Sequence, residues 1–515
     1  MRTRRAKALM VLGTASHVGK SIVSAALCRI LRQDGFNVAP FKAQNMALNS
    51  FATRDGHEIG RAQAVQAQAA GIEPHVDMNP ILLKPSSGGS QVVLNGKVFG
   101  DINAANFQDI RPKLFSAAVA AYERMASRYE FIILEGAGSP VEMNLKDGDI
   151  ANLKMAEIAD AACVLVADID RGGVFASLTG TYELLTPEER ARFGGFVINK
   201  FRGDIDRFQS GVDFLEERLK QPCLGIIPYL PDLMIDEEDG VSLDDRTNQN
   251  LKANLPPGHL RICVIQLPHI SNFSDFESLK SVAGVTVFYA RTPPESSTAD
   301  VLIRPGSKNT IADLLWLRAS GWDVVVTEHA KAERPVIGIC GGFQMLGREV
   351  HDPYHMEGDT GRVRGLGLLD ITTSLGREKV TRQARATIIH PELFGQQKPG
   401  PSFEGYEIHL GETQLGPHAS PFLSLTRLGA ETSIHDGAIS SDGRVMGTYL
   451  HGLFDSVEGL TALLEHLFRV SKKNSGSASR VCGFDRRQQY DKLAAHFRQH
   501  LEMKEIYRLI TDARS

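Results

Sequence analysis

A chain of 515 residues, 42% hydrophobic and 23% charged, is too long for one ordinary core and has the balance of a soluble globular protein with two to four domains. Its net charge of −4, with no long Lys/Arg block, excludes the electrostatic footprint of a nucleic-acid binder and favours small-molecule partners. No apolar run reaches the ~18 residues of a membrane span. The six cysteines (Cys28, Cys163, Cys223, Cys263, Cys340 and Cys482) contain no C-x-x-C pair and suit a reducing cytoplasm.

The basic start, MRTRRAKALMVLG, has too short an apolar run for a signal peptide and reads as a buried strand from Ala8 to Gly13. Gly13-Thr14-Ala15-Ser16-His17-Val18-Gly19-Lys20-Ser21 follows it directly and leads into a helical pattern from Ile22. A loop of this kind cradles phosphate oxygens with backbone N–H groups, its Lys reaches the terminal phosphates and its Ser holds magnesium. Gly13, Thr14, Gly19, Lys20 and Ser21 are therefore the ATP-binding candidates. Five residues rather than four separate Gly13 from Gly19, so the strict Walker A spacing fails by one.

Val38–Ala43 is the next predicted strand, and Phe41-Lys42-Ala43-Gln44-Asn45-Met46-Ala47-Leu48-Asn49-Ser50 carries it into a polar loop. Ala62–Ala70 is helical by propensity. Strand Phe131–Glu135 ends in Glu-Gly-Ala-Gly, which places one carboxylate where a second magnesium contact belongs; an exposed strand-end Glu is the competing reading. Strand Ala162–Ala167 ends at Asp168-Ile169-Asp170-Arg171-Gly172-Gly173, where Asp168 and Asp170 are candidates for phosphate or substrate contact, their role left open. Gly195–Asn199 and Cys223–Pro228 complete the first set of strands.

From Ile235 to His259 the apolar period disappears and the segment reads as a linker between a domain over 1–234 and a second over 260–470. Strands resume at Arg261–Leu267, Val285–Tyr289 and Val301–Arg304. The last enters Pro305-Gly306-Ser307-Lys308-Asn309-Thr310, which makes the Gly306 N–H a candidate oxyanion donor; a plain helix cap is the alternative. Strand Val336–Ile339 runs into Cys340-Gly341-Gly342 and a helix, a nucleophile elbow with a thiol at its apex and the Gly341 N–H beside it. Attack by such a thiol on a carboxamide gives a thioester. Tyr406–Leu410 and Val445–Tyr449 are later strands. The second of these leads to His451, whose position alone does not select it as base among 16 histidines. Residues 471–479 are of flexible composition, and Tyr490, Leu493, Phe497 and Leu501 recur at helical spacing in a tail. The fold class is α/β with two doubly wound domains and a C-terminal helical tail.

The longer P-loop and the Glu-Gly-Ala-Gly of residues 135–138 resemble dethiobiotin synthetase and its relatives, a likeness that also assigns Asn199 to adenine. Together with Gly-Ile-Cys-Gly-Gly at Cys340, Pro-Gly-Ser-Lys-Asn-Thr at Gly306 and Tyr-Leu-His-Gly-Leu-Phe at His451, the chain resembles the cobyric acid synthase family, in which a dethiobiotin-synthetase-like domain is fused to a class I, flavodoxin-like glutamine amidotransferase domain. The resemblance implies Cys340 and His451 as the catalytic pair. Gly452 and Leu453 stand where most triad amidotransferases have Pro-Glu, so a Cys–His pair without a carboxylate is expected, with Glu407 and His409 as helpers or merely strand residues.

The Lys42-Ala43-Gln44-Asn45 segment is similar to the one that marks this family rather than cobyrinic acid a,c-diamide synthase, and assigns Lys42, Gln44 and Asn45 to the acceptor. The implied reaction uses ATP, magnesium at Ser21 and Glu135, and glutamine. It amidates the b, d, e and g carboxylates of a corrinoid, adenosylcobyrinic acid a,c-diamide, in cobalamin biosynthesis. The alternatives are the a,c-diamide synthase itself or a P-loop switch ATPase carrying a degenerate amidotransferase domain. A homo-oligomer is compatible with either.

Overall fold

Runs of Val, Ile, Leu and Ala buried on both faces form parallel strands because no polar face is left to turn to water. In the computed structural model, which describes residues 5–86, 89–103, 105–231, 233–236, 258–390, 400–473 and 485–511, such runs build two separate sheets. The chain divides into two units, one of Met1–Ala47, Glu58–Glu238 and Asp485–Ser515, the other of Leu48–His57 and Asp239–Phe484.

The first unit holds β1 (Lys7–Gly13), β2 (Val38–Phe41), β3 (Phe131–Glu135), β4 (Ala162–Asp168), β5 (Phe193–Phe201) and β6 (Cys223–Pro228) in the order β6-β5-β4-β1-β3-β2, all parallel. The order reverses about β1, so loops on its two sides diverge and leave a crevice at the strands' carboxyl ends. The P-loop, Lys42, Glu135, Asp168 and Asn199 lie at those ends. A smaller four-stranded sheet, absent from the sequence reading, joins Gln44–Met46, Ile81–Ser86, Gly89–Leu94 and Lys97–Ile102. Its last hairpin turns at Asn95-Gly96, both at positive φ (48° and 76°), the combination a two-residue hairpin turn demands.

The tail forms two helices, Arg486–His500 and Met503–Thr511, and not the single one expected. Tyr490, Leu493, Phe497 and Leu501 are buried with Leu27 and Leu31 of the helix that follows the P-loop, as their spacing predicts. Ile235 and Asp236, read as the start of a linker, are buried; Asp236 accepts a 2.8 Å hydrogen bond from Arg61 Nε. The rest of the expected linker up to Pro257, and most of the one before the tail, lie outside the described residues.

The second unit holds β7 (Leu260–Ile265), β8 (Val285–Ala290), β9 (Val301–Arg304), β10 (Val336–Ile339), β11 (Ile371–Ile388), β12 (Ser402–Leu415), β13 (Ala438–Ile439) and β14 (Val445–Thr448). Its core sheet runs β8-β7-β9-β10-β14-β13, parallel except for the edge pair β13–β14. The Tyr406–Leu410 run belongs to a separate antiparallel sheet built on the long β11–β12 hairpin.

Candidate functional site

Four adjacent parallel strands, β7, β9, β10 and β14, deliver one functional segment each at their carboxyl ends. Cys340, after β10, has φ 50° and ψ −112°, a strained backbone that a nucleophile elbow imposes on its apex residue. The glycines around it are sterically required. A Cβ on Gly342 would lie 2.1 Å from the Arg304 carbonyl oxygen, and one on Gly338 would lie 2.7 Å from that of Gly342. The Cys340 N–H donates to the Thr448 carbonyl at 2.8 Å, which ties the elbow to β14. Its thiol is 7% exposed and lies 3.4 Å from the Ile408 carbonyl.

His451 follows β14, is 1% exposed, and is in hydrogen-bond contact with Cys340. The expectation of a pair without a carboxylate is corrected here: the Nδ1–H of His451 donates to Asp275 Oδ2 at 2.7 Å. Asp275 stands in a short 3-10 turn, Phe273–Phe276, beyond β7. Burial opposes the imidazolium, but the charge and hydrogen bond of Asp275, with the contact to Cys340, outweigh it and push the His451 pKa up to about 10. At neutral pH His451 is therefore an imidazolium beside the Cys340 sulfur. Sequence reading missed Asp275 because the carboxylate comes from another strand's loop. The available signal was its place at the carboxyl end of a central strand.

Glu407 and His409 do not reach His451. On β12 the side chains alternate, and Tyr406 faces the imidazole, stacking at 5.2 Å between ring centroids with 20° between planes. Glu407 instead accepts from Arg427 Nε and Nη2 at 2.7 and 3.0 Å and lies 3.3 Å from His409 Nε2. Burial would raise its pKa, yet these bonds hold it down at about 2. His409 stacks on Tyr449 at 3.8 Å. Tyr449 receives a hydrogen bond from Gln344 Nε2 at 3.1 Å, so this network braces the helix behind the nucleophile.

Gly306 lies beside His451: a Cβ there would be 3.6 Å from the ring's Cε1. Its backbone pairs with Ser271 in a short antiparallel bridge, and the Ser307 nitrogen comes within 2.9 Å of where a Gly341 Cβ would sit. Peptide groups of both segments thus converge on the elbow, with no side chain at either glycine to fill the space.

In the first unit, Gly19 takes φ +104° at the end of the P-loop, and a Cβ there would strike Asn199 at 2.0 Å. Asn199 is buried and its amide nitrogen donates to the Val18 carbonyl at 2.8 Å, so this amide supports the loop from beneath. Lys20 Nζ donates to the carbonyls of Ala15 and Gly138, each at 2.9 Å, which curls the loop around its ammonium. Thr14 and Gly13 follow β1 as expected, the Thr14 N–H donating to Val166 at 2.9 Å. Asp168 accepts from Lys200 Nζ at 2.8 Å and from the Asp170 N–H at 2.8 Å, while Asp170 pairs with Arg202 at 2.7 Å.

Glu135, 1% exposed, is the hub of a polar cluster behind the P-loop. It accepts from Ser21 Oγ and Lys42 Nζ at 2.8 Å each and from Gln66 Nε2. One hydroxyl and one carboxylate side by side fit magnesium that rides on nucleotide phosphates, an ion that keeps most of its shell as water and phosphate oxygen. Asn45 donates to Gln63 Oε1 at 2.9 Å, and Gln44 Oε1, Gln63 Nε2 and Gln66 Oε1 are buried polar atoms without a protein partner. Lys42 and Asn45 are therefore interior groups, and the Gln-rich helix Arg61–Ala69, read only as a good helix former, contributes to the site. Orphaned buried amides are costly unless a ligand or water meets them.

Residues 9–243 match the family described as CobQ/CobB/MinD/ParA nucleotide binding domain, and residues 261–459 match the CobB/CobQ-like glutamine amidotransferase domain. The molecule is thus a P-loop nucleotide-binding unit joined in one chain to a glutamine amidotransferase unit. It is 45% identical over 515 residues to a cobyric acid synthase of Syntrophobacter fumaroxidans, covering 98% of this chain and 99% of that one. It is 46% identical over 508 residues to a cobyric acid synthase of Desulforamulus reducens, with 98% of each chain covered. A solved glutamine amidotransferase aligns with 41% of this chain and 98% of its own, at 19% identity and a TM-score of 0.30. The chain belongs to the cobyric acid synthase family and is an ATP-dependent, glutamine-hydrolysing ligase.

Proposed function

We propose that the chain amidates the b, d, e and g carboxylates of adenosylcobyrinic acid a,c-diamide in cobalamin biosynthesis, drawing nitrogen from glutamine and activation from ATP. The observation that carries the nitrogen half is the Cys340–His451–Asp275 alignment. The Cys340 thiolate attacks the glutamine carboxamide carbon, and peptide N–H groups at Gly341 and Gly306 are the proposed receptors of the oxyanion. Imidazolium His451 protonates the departing ammonia and, now neutral, takes a proton from the water that hydrolyses the thioester. Asp275 holds the tautomer throughout.

Ammonia does not displace hydroxide from a carboxylate, so the acceptor oxygen is first made a leaving group by phosphoryl transfer from ATP. Lys20 is proposed to meet the terminal phosphates. Ser21 and Glu135 would hold magnesium, which neutralises charge on the phosphates. Ammonia then displaces phosphate from the acyl phosphate and leaves the amide. Asn199 is proposed to serve the adenine end; Lys42, Gln44 and Asn45, joined by Gln63 and Gln66, are proposed for the acceptor, and Asp168 and Asp170 for phosphate or a substrate carboxylate.

Similarity to cobyric acid synthases along nearly the full length favours this acceptor over the a,c-diamide synthase reading, and the aligned triad argues against a switch ATPase with an inert second domain. The deciding experiment is mass spectrometry of the a,c-diamide incubated with ATP, magnesium and glutamine. Successive amidations at the remaining carboxylates are expected, and an unchanged mass would overturn the reading.

A further inference from the structure

Ten residues of the first unit's chain, Leu48–His57, belong to the second unit, and they lead straight to His451. The Ser50 N–H donates to Asn272 Oδ1 at 2.8 Å. That bond fixes the amide's orientation and turns its nitrogen to the imidazole, 3.4 Å from each ring nitrogen. The carbonyl of the same Ser50 accepts from the Tyr406 hydroxyl at 3.4 Å, and the Tyr406 ring stacks on His451. Asn49 Oδ1 accepts from the Phe273 N–H at 3.2 Å, which closes a reciprocal clasp between peptides 49–50 and 272–273.

Asn49, Ser50 and Asn272 are each no more than 4% exposed, so water does not replace these bonds cheaply. Asn272 has φ 51° and ψ 41°, a left-handed conformation that Asn tolerates better than most residues. The excursion is longer than a connection between neighbouring elements needs, and its remaining contacts serve the same place: Phe51 packs on Tyr406 at 5.1 Å, and Gln383 Nε2 donates to the Ala52 carbonyl at 3.1 Å.

We propose that Asn49, Ser50, Asn272 and Tyr406 are positioning residues for His451. The inference rests on the amidotransferase function proposed above. The test uses the full chain and three variants. Asn272→Gly keeps the left-handed backbone and removes the amide; Asn49→Leu removes the acceptor for the Phe273 N–H; Asn49→Asp retains it. Glutamine hydrolysis and amidation of the a,c-diamide from added ammonium are measured in each.

Misplacing a base by about an ångström costs up to ~100-fold, so Asn272→Gly and Asn49→Leu are expected to lower kcat at least ~10-fold. KM should change less than ~3-fold, since the substrate pocket is intact and only the base is displaced. Asn49→Asp should recover most of kcat, and Asn272→Gly should leave amidation from added ammonium intact. Wild-type kcat in both Asn272→Gly and Asn49→Leu would overturn the proposal, as would an equal loss of ammonium-driven amidation in Asn272→Gly. A wild-type chain that hydrolyses no glutamine would overturn the function beneath it, and this inference with it.

Discussion

Asp275 and His451 meet through a 2.7 Å hydrogen bond although 176 residues separate them in the chain. The pair defines the protonation state of the nucleophile site. In the wild type the imidazolium persists up to a pKa of about 10. Asp275→Asn removes the charge that opposes burial, so the alkaline limb of glutamine hydrolysis is expected to move to lower pH, with a fall in kcat on the order of 100-fold or more. A pH–rate profile measures both, and an unmoved limb would refute the assignment.

Cys340→Ala separates the two chemistries. Glutamine-driven amidation should fall by ~1,000-fold or more, because no thioester forms, while amidation from added ammonium salt should stay near the wild-type rate. Loss of both reactions would contradict the division of labour between the units.

Gly342→Ala acts on the same site through the backbone. Its Cβ would sit 2.1 Å from the Arg304 carbonyl oxygen, and backbone does not step aside cheaply. The elbow should open and glutamine hydrolysis should drop with it, whereas ammonium-driven amidation should survive. A variant with normal glutaminase turnover would show that the elbow's tight packing is dispensable.

Glu135→Ala removes the carboxylate that pairs with Lys42, whose side chain is 4% exposed. Removing one partner of a buried pair costs about 3–5 kcal/mol, so the denaturant midpoint of the first unit should fall, and amidation should be lost with either nitrogen source. Retained ammonium-driven activity would remove Glu135 from the phosphate chemistry.

Glu407 links pH to the stability of the second unit. Its carboxyl is held at about 2 when folded, below the ordinary ~4.3 of an unfolded glutamate. The stabilisation is present above the unfolded value and is lost as pH falls through the folded one. Thermal melts between about pH 5 and pH 2.5 should lose less stability in Glu407→Gln than in the wild type. Equal slopes would mean that the Arg427 and His409 contacts do not govern the titration.

Much of the fold was legible because parallel strands buried on both faces leave an unmistakable local trace. Phe131–Glu135, Cys223–Pro228, Val301–Arg304 and Val336–Ile339 begin and end where their apolar runs do. The hairpin at Asn95-Gly96 carried an equally local turn signal that went unused. The antiparallel sheet around β11 and β12 was less visible, because its strands are half-exposed and their apolar positions alternate.

Local sequence alone determined the P-loop and the thiol elbow, since a glycine-flanked Lys-Ser or Cys between strand and helix is defined by backbone geometry over a few residues. Only the tertiary structure decided what surrounds them. Asp275 reaches His451 because β7 and β14 end on the same side of one sheet. Glu407, next to Tyr406 on β12, points away from His451 because side chains alternate along a strand. Asn199 lies under the P-loop, and Gln66 meets Glu135, because their elements pack there. Which carboxylate serves which base is a property of strand order, and strand order is set by packing the whole core.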